Sequence, residues 1–252
     1  MQERDLTEHE IIHIVSEIRE QAPGLGAYKL FLMLREVYSN KMVGRDKFYN
    51  LLHKKHLMLK PQRRRHTTNS NHNYRKYKNL IKGFMPTAPN QLWVADITYI
   101  DTDDGVCYLH LITDAFTHEI IGWTVSDNLM AVNTKTALGQ AIEQAGNADL
   151  NHLIHHSDRG SQYCCNDYIA LLKSVHANIS MTQDYKPTDN AIAERVNGII
   201  KQEWLYRMKR PKDMDQAIHI LKDIIYFYNN KRPHMSNMMK TPAEKRRNYV
   251  GC

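Results

Sequence analysis

The chain has 252 residues, of which 42% are hydrophobic and 24% charged, a balance that excludes wholesale disorder and suffices for a buried core. No apolar run reaches the roughly 18 residues of a membrane-spanning helix, and the first ten residues show no secretory signal, so we expect no membrane partner. The net charge of +7 favours a polyanionic partner, and four cysteines without a CxxC pair predict a reducing, cytoplasmic setting.

The positive charge is concentrated in one part of the chain. Residues 27–82 contain 15 Lys and Arg and only two acids, so they carry +13 while the remainder carries −6. Such a one-sided segment repels itself unless counter-charge arrives, and nucleic-acid phosphates are the usual source. A solvated basic surface is the alternative interpretation.

The first part of the chain has the pattern of three short helices. Thr7 and Glu10 form a capping-box pattern, and apolar residues at helical spacing follow over 11–18, 28–38 and 45–57. The arrangement, with the basic run Arg63, Arg64 and Arg65 behind it, predicts a small all-α, helix-turn-helix-like DNA-binding domain over 1–65. The open alternative is a helical cap on the following domain.

The rest of the chain has an α/β pattern. Residues 66–88 are polar and basic and predict a linker, and 89–232 predict a mixed five-stranded sheet with flanking helices, followed by a C-terminal tail over 233–252. The predicted strands are 92–100, 106–113, 120–125, 153–156 and 179–182, and the predicted helices are about 132–145, 161–175, 191–208 and 214–229.

Three carboxylates stand at chemically suggestive places in this pattern. Asp96 lies within an apolar strand, Asp158 stands where a short strand ends, and Glu194 falls in the first turn of a helix. A charge among apolar residues is costly unless it is paired or binds a metal. Three converging carboxylates suit Mg²⁺ or Mn²⁺, which can serve phosphodiester chemistry as a pair of ions. With 27 acids in the chain, chance spacing is the alternative.

The residues around these acids carry a family resemblance. Their segments resemble the DDE catalytic core of insertion-sequence transposases, specifically the downstream-frame product of the IS-three family, and 35 residues separate the second acid from the third, as in that family. The segments are WVADITYI around Asp96, HHSDRGSQY around Asp158 and DNAIAERVNGIIKQEW around Glu194.

The resemblance extends over nearly the whole chain. The segment YNNKRPHMSNMMKTPAE is similar to the family's C-terminal motif, and GLGAYKLFLMLREVY with VGRDKFYNLLHKKHLMLKPQRRR resembles its integrase-associated helix-turn-helix. The resemblance implies an RNase H-like core and a DNA transposase. It also implies that Asp96, Asp158 and Glu194 hold two Mg²⁺, with Mn²⁺ as a substitute, for DNA cleavage and strand transfer.

Several further residues are predicted to contact DNA. Lys201 lies two helical turns after Glu194 and matches the basic residue that the family has there. Two arginines stand directly beside catalytic acids, and surface ion pairs are the alternative for both. The predicted DNA-binding residues are Lys201, Arg159, Arg195, Asn197, Arg63, Arg64 and Arg65.

Other polar residues near the acids have simpler explanations. We expect Asn190 to cap the helix that carries Glu194, Gly160 to permit a turn beside Asp158, and Asp114 to be structural. Gln162 and Tyr163 are candidates for substrate contact, with a core position as the alternative for Tyr163. Zinc binding is disfavoured because neighbouring His and Cys residues point apart and lack a matching second pair.

The resemblance also implies partners. These are double-stranded DNA at element ends and target, further copies of the chain on that DNA, and an upstream-frame product with its own helix-turn-helix and leucine zipper. We expect a bacterial cytoplasmic protein associated with the nucleoid. A non-catalytic DNA-binding regulator of transposition is the alternative function.

Overall fold

The computed structural model describes residues 6–59, 75–183 and 190–249. Their centre is a mixed five-stranded sheet in the order β3-β2-β1-β4-β5, which confirms the predicted α/β class. The first three strands form an antiparallel meander, and β4 and β5 add in parallel to β1. The strands are β1 Leu92–Thr102, β2 Gly105–Asp114, β3 Ile120–Ser126, β4 Ile154–Ser157 and β5 Asn178–Met181.

Helices cover both faces of the sheet. Alternate residues of β1 point to opposite faces. Trp93 and Ala95 pack with α4 (Ala131–Ala145) and α6 (Asn166–Ser174), while Ile100 packs with α7 (Ala191–Ile200) and α8 (Met214–Asn230). Asp96 has the parity of Ile100 and therefore lies on the α7 side. The helices of this part are α4 Ala131–Ala145, α5 Ser161–Cys164, α6 Asn166–Ser174, α7 Ala191–Ile200, α8 Met214–Asn230 and α9 Pro242–Arg247.

Two predicted helices differ in detail from the observed ones. The helix expected over 161–175 is interrupted at Cys165, whose ψ of 151° is extended, so α5 and α6 are separate. The helix expected over 191–208 changes its winding at Lys201, because a π-helical turn, Lys201–Leu205, continues α7. Hydrophobic periodicity detects the helix but not these local changes of winding.

The N-terminal helices occur where the sequence predicts them. They are α1 Glu8–Gln21, α2 Ala27–Tyr38 and α3 Arg45–Lys54. The predicted capping box is present, since Thr7 Oγ1 accepts from the Glu10 amide at 3.3 Å and Glu10 Oε2 accepts from the Thr7 amide at 2.8 Å.

These helices share one hydrophobic cluster with the α7 side of the sheet. Phe48 and Leu30 belong to the same buried cluster as Trp204 and Leu221. The indole Nε1 of Trp204 donates to the Gln21 carbonyl at 2.8 Å, which joins α1 to the π-helical turn. The boundary at residue 65 and residues 60–74 of the basic segment lie outside the described residues, so the division into domains stays a prediction.

The sequence predicts only a simple tail over 233–252. In the structure, the described part of this segment is packed against the rest of the chain. Asn237 is buried and donates to the Thr117 carbonyl at 2.6 Å. Thr241 caps α9 with a capping box, and Arg246 on that helix pairs with Glu119. Among the described residues, none of the helices has both the length and the apolar character needed to span a bilayer.

Candidate active site

The sheet topology places the first two candidate acids side by side. β1 and β4 are parallel neighbours with Val94 opposite His156. Asp96 lies two residues after Val94, and Asp158 lies two residues after His156. Asp158 directly follows the end of β4, the place where α/β sheets present functional side chains.

The carboxylate of Asp96 is fixed by two hydrogen bonds. Its Oδ1 accepts from the Ile97 amide at 2.9 Å, and its Oδ2 accepts from Asn197 Nδ2 at 2.8 Å. Burial, and then the charges of Asp158 and Glu194, raise the pKa of Asp96 to about 7 against the lowering effect of these bonds. Asp158 and Glu194 therefore lie near enough to Asp96 for their charges to act on it.

Asp158 is held by the turn that follows it. Its Oδ1 accepts from the Gly160 amide at 2.9 Å. A Cβ on Gly160 would lie 3.0 Å from that oxygen and 2.6 Å from Gln162 Oε1. Gly160 has a φ of −60°, which any residue adopts, so the turn beside Asp158 does not need the backbone freedom of glycine, and an added Cβ would meet only the side chains of Gln162 and Asp158.

Glu194 reaches the site from α7, which two asparagines attach to β1. Asn190 occupies the N-cap position as predicted, but its side chain makes no capping bond; instead Nδ2 donates to the Ala95 carbonyl at 3.0 Å. Asn197, one turn after Glu194, makes the bond to Asp96. Glu194 itself is exposed in the first turn of the helix.

Asn197 supports the carboxylate of Asp96, a role that we did not predict from the sequence. It was expected to contact DNA, yet it is only 5% exposed and its amide is occupied by Asp96. The spacing of one helical turn from Glu194 puts both side chains on one face of α7, and this spacing was the available signal.

The donor set suits a hard divalent cation, although the acids are not closed around one point. Within residues 6–59, 75–183 and 190–249, no three His, Cys, Asp or Glu side chains are arranged to coordinate one ion. Carboxylate oxygens are nevertheless the ligands that Mg²⁺ prefers, and burial together with the charges of Asp158 and Glu194 raises the pKa of Asp96, an effect that a bound cation would offset. The residues present therefore fit Mg²⁺.

The structure gives no support to a zinc site at the neighbouring His and Cys residues. His155 is buried and its Nε2 is hydrogen-bonded to the Tyr168 hydroxyl at 2.9 Å. Cys164 is also buried, with its Sγ 3.7 Å from the sulfur of Met181. Both side chains are therefore buried and already have partners within the protein.

The residues predicted to contact DNA differ in their exposure to solvent. Lys201 is partly buried at the end of α7, and burial lowers its pKa, opposed by the nearby charges of Asp101 and Asp96. Arg195 is exposed beside Glu194, and Arg159 is half-buried beside Asp158. Arg63, Arg64 and Arg65 lie outside the described residues.

Two further residues near the acids are structural. Asp114 is fully buried at the end of β2, where its oxygens accept from the amides of Asn90 and Thr117, as its expected role requires. Tyr163 is 2% exposed and packs edge-on against Tyr168, so its position is in the core.

Two segments of the chain match family models that carry the same description. Residues 86–187 and, in a second match, 176–242 correspond to the "Integrase core domain". Together these segments contain the whole sheet and all three candidate acids.

Curated relatives come from insertion elements. The chain is 39% identical over 215 residues to the 31 kDa protein of insertion element IS600 from Shigella sonnei, covering 82% of this chain and 76% of that one. It is 34% identical over 165 residues to the transposase of insertion sequence element IS904 from Lactococcus lactis, covering 64% of this chain and 63% of that one.

Solved structures share the fold. The chain is similar to a chain of the simian T-cell lymphotropic virus intasome, with a TM-score of 0.55 and 17% identity, covering 93% of this chain and 74% of that one. It is also similar to the HTLV-2 integrase catalytic core domain solved with magnesium, with a TM-score of 0.50 and 20% identity over 64% of this chain and 99% of that one. These likenesses confirm the predicted RNase H-like fold.

Proposed function

This chain belongs to the insertion-sequence transposases with an integrase core, and on that premise we propose that it cleaves DNA at the element ends and joins them to a target. The reaction is a metal-dependent hydrolysis followed by transesterification. Asp96, Asp158 and Glu194 are the residues that would hold the metal. The observation that carries the proposal is their placement: Asp96 and Asp158 follow the paired residues of the parallel neighbours β1 and β4, and Glu194 lies on α7, whose Asn197 bonds to Asp96.

The metal would be Mg²⁺, two ions with Mn²⁺ as a substitute, and when bound it supplies activation of the attacking oxygen and stabilisation of the leaving oxygen. The IS904 transposase is named for its insertion element, and the HTLV-2 core was solved with magnesium. The first supports a transposase activity for this chain, and the second supports a magnesium site in this fold.

The chain's own residues orient the reacting groups. Asn197 fixes one oxygen of Asp96, Gly160 gives Asp158 an amide donor, and Asn190 attaches the start of α7, the helix that carries Glu194, to β1. Such preorganisation matters because sub-ångström placement decides the rate of phosphodiester chemistry. All the placing contacts come from the backbone or from neutral amides, which add no charge to the acids.

The DNA backbone would be held by cations around these acids. Lys201 directly follows α7 and stands four residues, about one helical turn, after Asn197, whose amide bonds to Asp96, so it is the first phosphate contact that we propose beside the acids. Arg195 and Arg159 are the next contacts we propose, followed by Arg63, Arg64 and Arg65 of the basic segment. Their role is positioning through phosphate contacts, which carry no sequence information directly.

We further propose that the chain acts as a homo-oligomer on double-stranded DNA, together with an upstream-frame product, and that it associates with the nucleoid. The basic N-terminal part supplies general DNA affinity. Size measurements of the protein–DNA complex, with and without the co-expressed upstream product, test this assembly.

Cleavage of element-end DNA tests the function. A labelled duplex carrying the end of the element, read from the DNA beside the gene, should be nicked by the purified chain with its upstream product in Mg²⁺ or Mn²⁺. Asp96→Asn, Asp158→Asn and Glu194→Gln should each lower the rate by about 10³-fold or more, a drop expected when a metal-ligating charge is lost. Asp104→Asn, at the exposed turn between β1 and β2, is the matched control and should cleave normally. Metal-dependent nicking by the triple variant would show that the site is misassigned.

A further inference from the structure

A buried cluster of charged side chains contacts the π-helical turn that continues α7, the catalytic helix that carries Glu194. The chemistry proposed above does not use this cluster. Arg232 is 2% exposed, and its guanidinium grips Glu203 with two bonds, Nε to Oε2 and Nη2 to Oε1, both at 2.7 Å. Lys29 of α2 adds a third bond to Oε1 at 3.2 Å. Arg232 belongs to the Arg-Pro-His motif after α8, for which the active site gives no explanation.

Glu203 is mechanically part of the catalytic helix. It lies in the π-helical turn Lys201–Leu205, which continues α7 without interruption after Ile200. The same helix carries Glu194 and, through Asn197, the bond to Asp96. A constraint on Glu203 therefore limits the rotation and the axial position of the helix that presents the third acid. Single π turns inside α-helices are frequent at functional sites.

The N-terminal helices meet the catalytic helix at the same turn. The amide of Gly24 donates to the Glu203 carbonyl at 2.6 Å, and a Cβ on Gly24 would lie 2.3 Å from Glu203 Cα. Trp204, fully buried, donates to the Gln21 carbonyl. Glu203 is thus the residue at which the N-terminal helices, the catalytic helix and the C-terminal segment meet.

The chemistry of the cluster favours a positioning role over a purely stabilising one. A buried ion pair often contributes no more stability than apolar side chains of the same volume, because both charges must be desolvated. A bidentate arginine–carboxylate pair does impose a defined mutual orientation. Burial opposes ionisation of Glu203, but the bonds and charges of Arg232 and Lys29 outweigh it and lower the pKa of that carboxyl, so the pair is charged at neutral pH.

We propose that Arg232, acting through Glu203, is a positioning residue for the reaction: it sets the rotation and height of α7 so that Glu194 faces Asp96 and Asp158. This inference rests on the proposed function, since it concerns the same three acids. Lys29 extends the same link to α2, so the N-terminal helices and the catalytic helix hold a fixed relation to each other.

The test compares two arginines of the C-terminal segment. Arg232→Met removes the link to α7. Arg246→Met instead removes the ion pair between α9 and Glu119. The guanidinium of Arg246 also lies 3.8 Å from Asp114, which ends β2 on the side away from the hairpin turn. For each variant of the full chain we would measure the melting temperature, DNA affinity, nicking rate at saturating Mn²⁺, and Mn²⁺ affinity from the electron paramagnetic resonance signal of the free ion.

Arg232→Met should bind Mn²⁺ about 10-fold more weakly and cleave about 10-fold more slowly or worse, the scale of effect seen when outer-sphere support of metal ligands is lost. Its DNA affinity should be unchanged. Arg246→Met should lower the melting temperature yet keep wild-type Mn²⁺ affinity and rate. Arg232→Lys, which keeps the charge but not the two-pronged grip, should recover part of the Mn²⁺ affinity, and it replaces Arg232→Met in the comparison if that variant does not fold.

Wild-type Mn²⁺ affinity and rate in a folded Arg232→Met or Arg232→Lys would overturn the positioning role. Equal losses of Mn²⁺ affinity in the Arg232 and Arg246 variants would do the same, because general destabilisation would then explain both. If instead the wild-type chain neither binds Mn²⁺ nor nicks DNA, the proposed function fails rather than this inference.

Discussion

At the residue scale, the candidate site depends on amides as much as on acids. Asn197 Nδ2 donates to Asp96 at 2.8 Å, and Asn190 Nδ2 donates to the carbonyl of the neighbouring Ala95 at 3.0 Å. A neutral donor favours the ionised form of Asp96 without cancelling the charge that a metal needs. Burial and the neighbouring acids nevertheless keep the pKa of Asp96 raised, at about 7.

Removal of the Asn197 amide should weaken catalysis while leaving the fold intact. Asn197→Ala frees Oδ2 of Asp96 to rotate, so we expect a loss of about 10- to 100-fold in Mn²⁺ affinity or in the nicking rate, as is typical for second partners of metal ligands. Calorimetry with Mn²⁺ and the nicking assay measure the two effects.

Asn230→Ala is the matched control for that variant, since Asn230 is an exposed helical asparagine on α8 that bonds only to the Tyr226 carbonyl among its described contacts. It should behave as the wild type. Equal metal affinity and rate in Asn197→Ala would mean that the bond to Asp96 has no part in the reaction.

The acids could be predicted from the sequence because local patterns carry them. A charge within an apolar strand, another where a strand stops, and a third in a first helical turn are readable without a structure. The partners of these residues were not predictable in the same way. Asn197 bonds to a residue 101 positions away and Arg232 to one 29 positions away, and no local pattern specifies such pairings.

At the element scale, strand and helix positions followed from periodicity, while changes within an element did not. β1 and β2 extend to the hairpin turn one or two residues beyond their predicted ends, because Thr102 and Gly105 still pair. The break at Cys165 and the π turn at Lys201 are changes of backbone geometry that hydrophobic spacing does not encode. The packed C-terminal segment was expected only as a tail, since its short elements carry few apolar residues.

The contact between the N-terminal helices and the π turn requires a glycine at position 24. A methyl group there would lie 2.3 Å from Glu203 Cα, so Gly24→Ala should destabilise the protein by about 1–3 kcal/mol, the usual cost of overpacking. Chemical denaturation measures this loss.

Gly139→Ala is the matched control because nothing lies within 4 Å of its added methyl group in the middle of α4. The substitution should stabilise the protein by roughly 0.5–1 kcal/mol, since alanine is the better helix residue. A neutral Gly24→Ala would show that the helices do not dock at this turn.

At the scale of the whole molecule, the modest net charge conceals two regions with different partners. Residues 27–82 carry +13 and suit DNA phosphates, whereas the remainder carries −6 and includes the three acids that suit a metal. The ion cluster of Arg232, Glu203 and Lys29 connects these regions through the catalytic helix.

The pH dependence of stability should reveal this cluster. The folded chain lowers the pKa of Glu203 below its ordinary value of 4.5, so its ion pairs stabilise the native state above that pH and lose this effect as the pH falls through the lowered pKa. The difference in unfolding free energy between wild type and Glu203→Gln should therefore be largest at neutral pH and shrink below about pH 4.5. Urea denaturation at several pH values measures it.

Glu143→Gln, an exposed position on α4, is the control and should stay close to the wild type throughout the series. A difference for Glu203→Gln that does not change with pH would mean that the carboxylate charge is not what the variant removes.

The most direct test of the account is the joining of a DNA end to a target. A duplex that carries the element's exposed 3′-hydroxyl end is incubated with plasmid, Mg²⁺, the chain and its upstream product, and joined product is compared between wild type and Glu194→Gln at equal DNA occupancy. We predict joined product with the wild type, and with Glu194→Gln a loss of about 10³-fold at unchanged DNA affinity. Joining by Glu194→Gln at the wild-type rate, or none by a wild-type complex that binds both DNA and Mg²⁺, would contradict the assignment of this site as the strand-transfer centre.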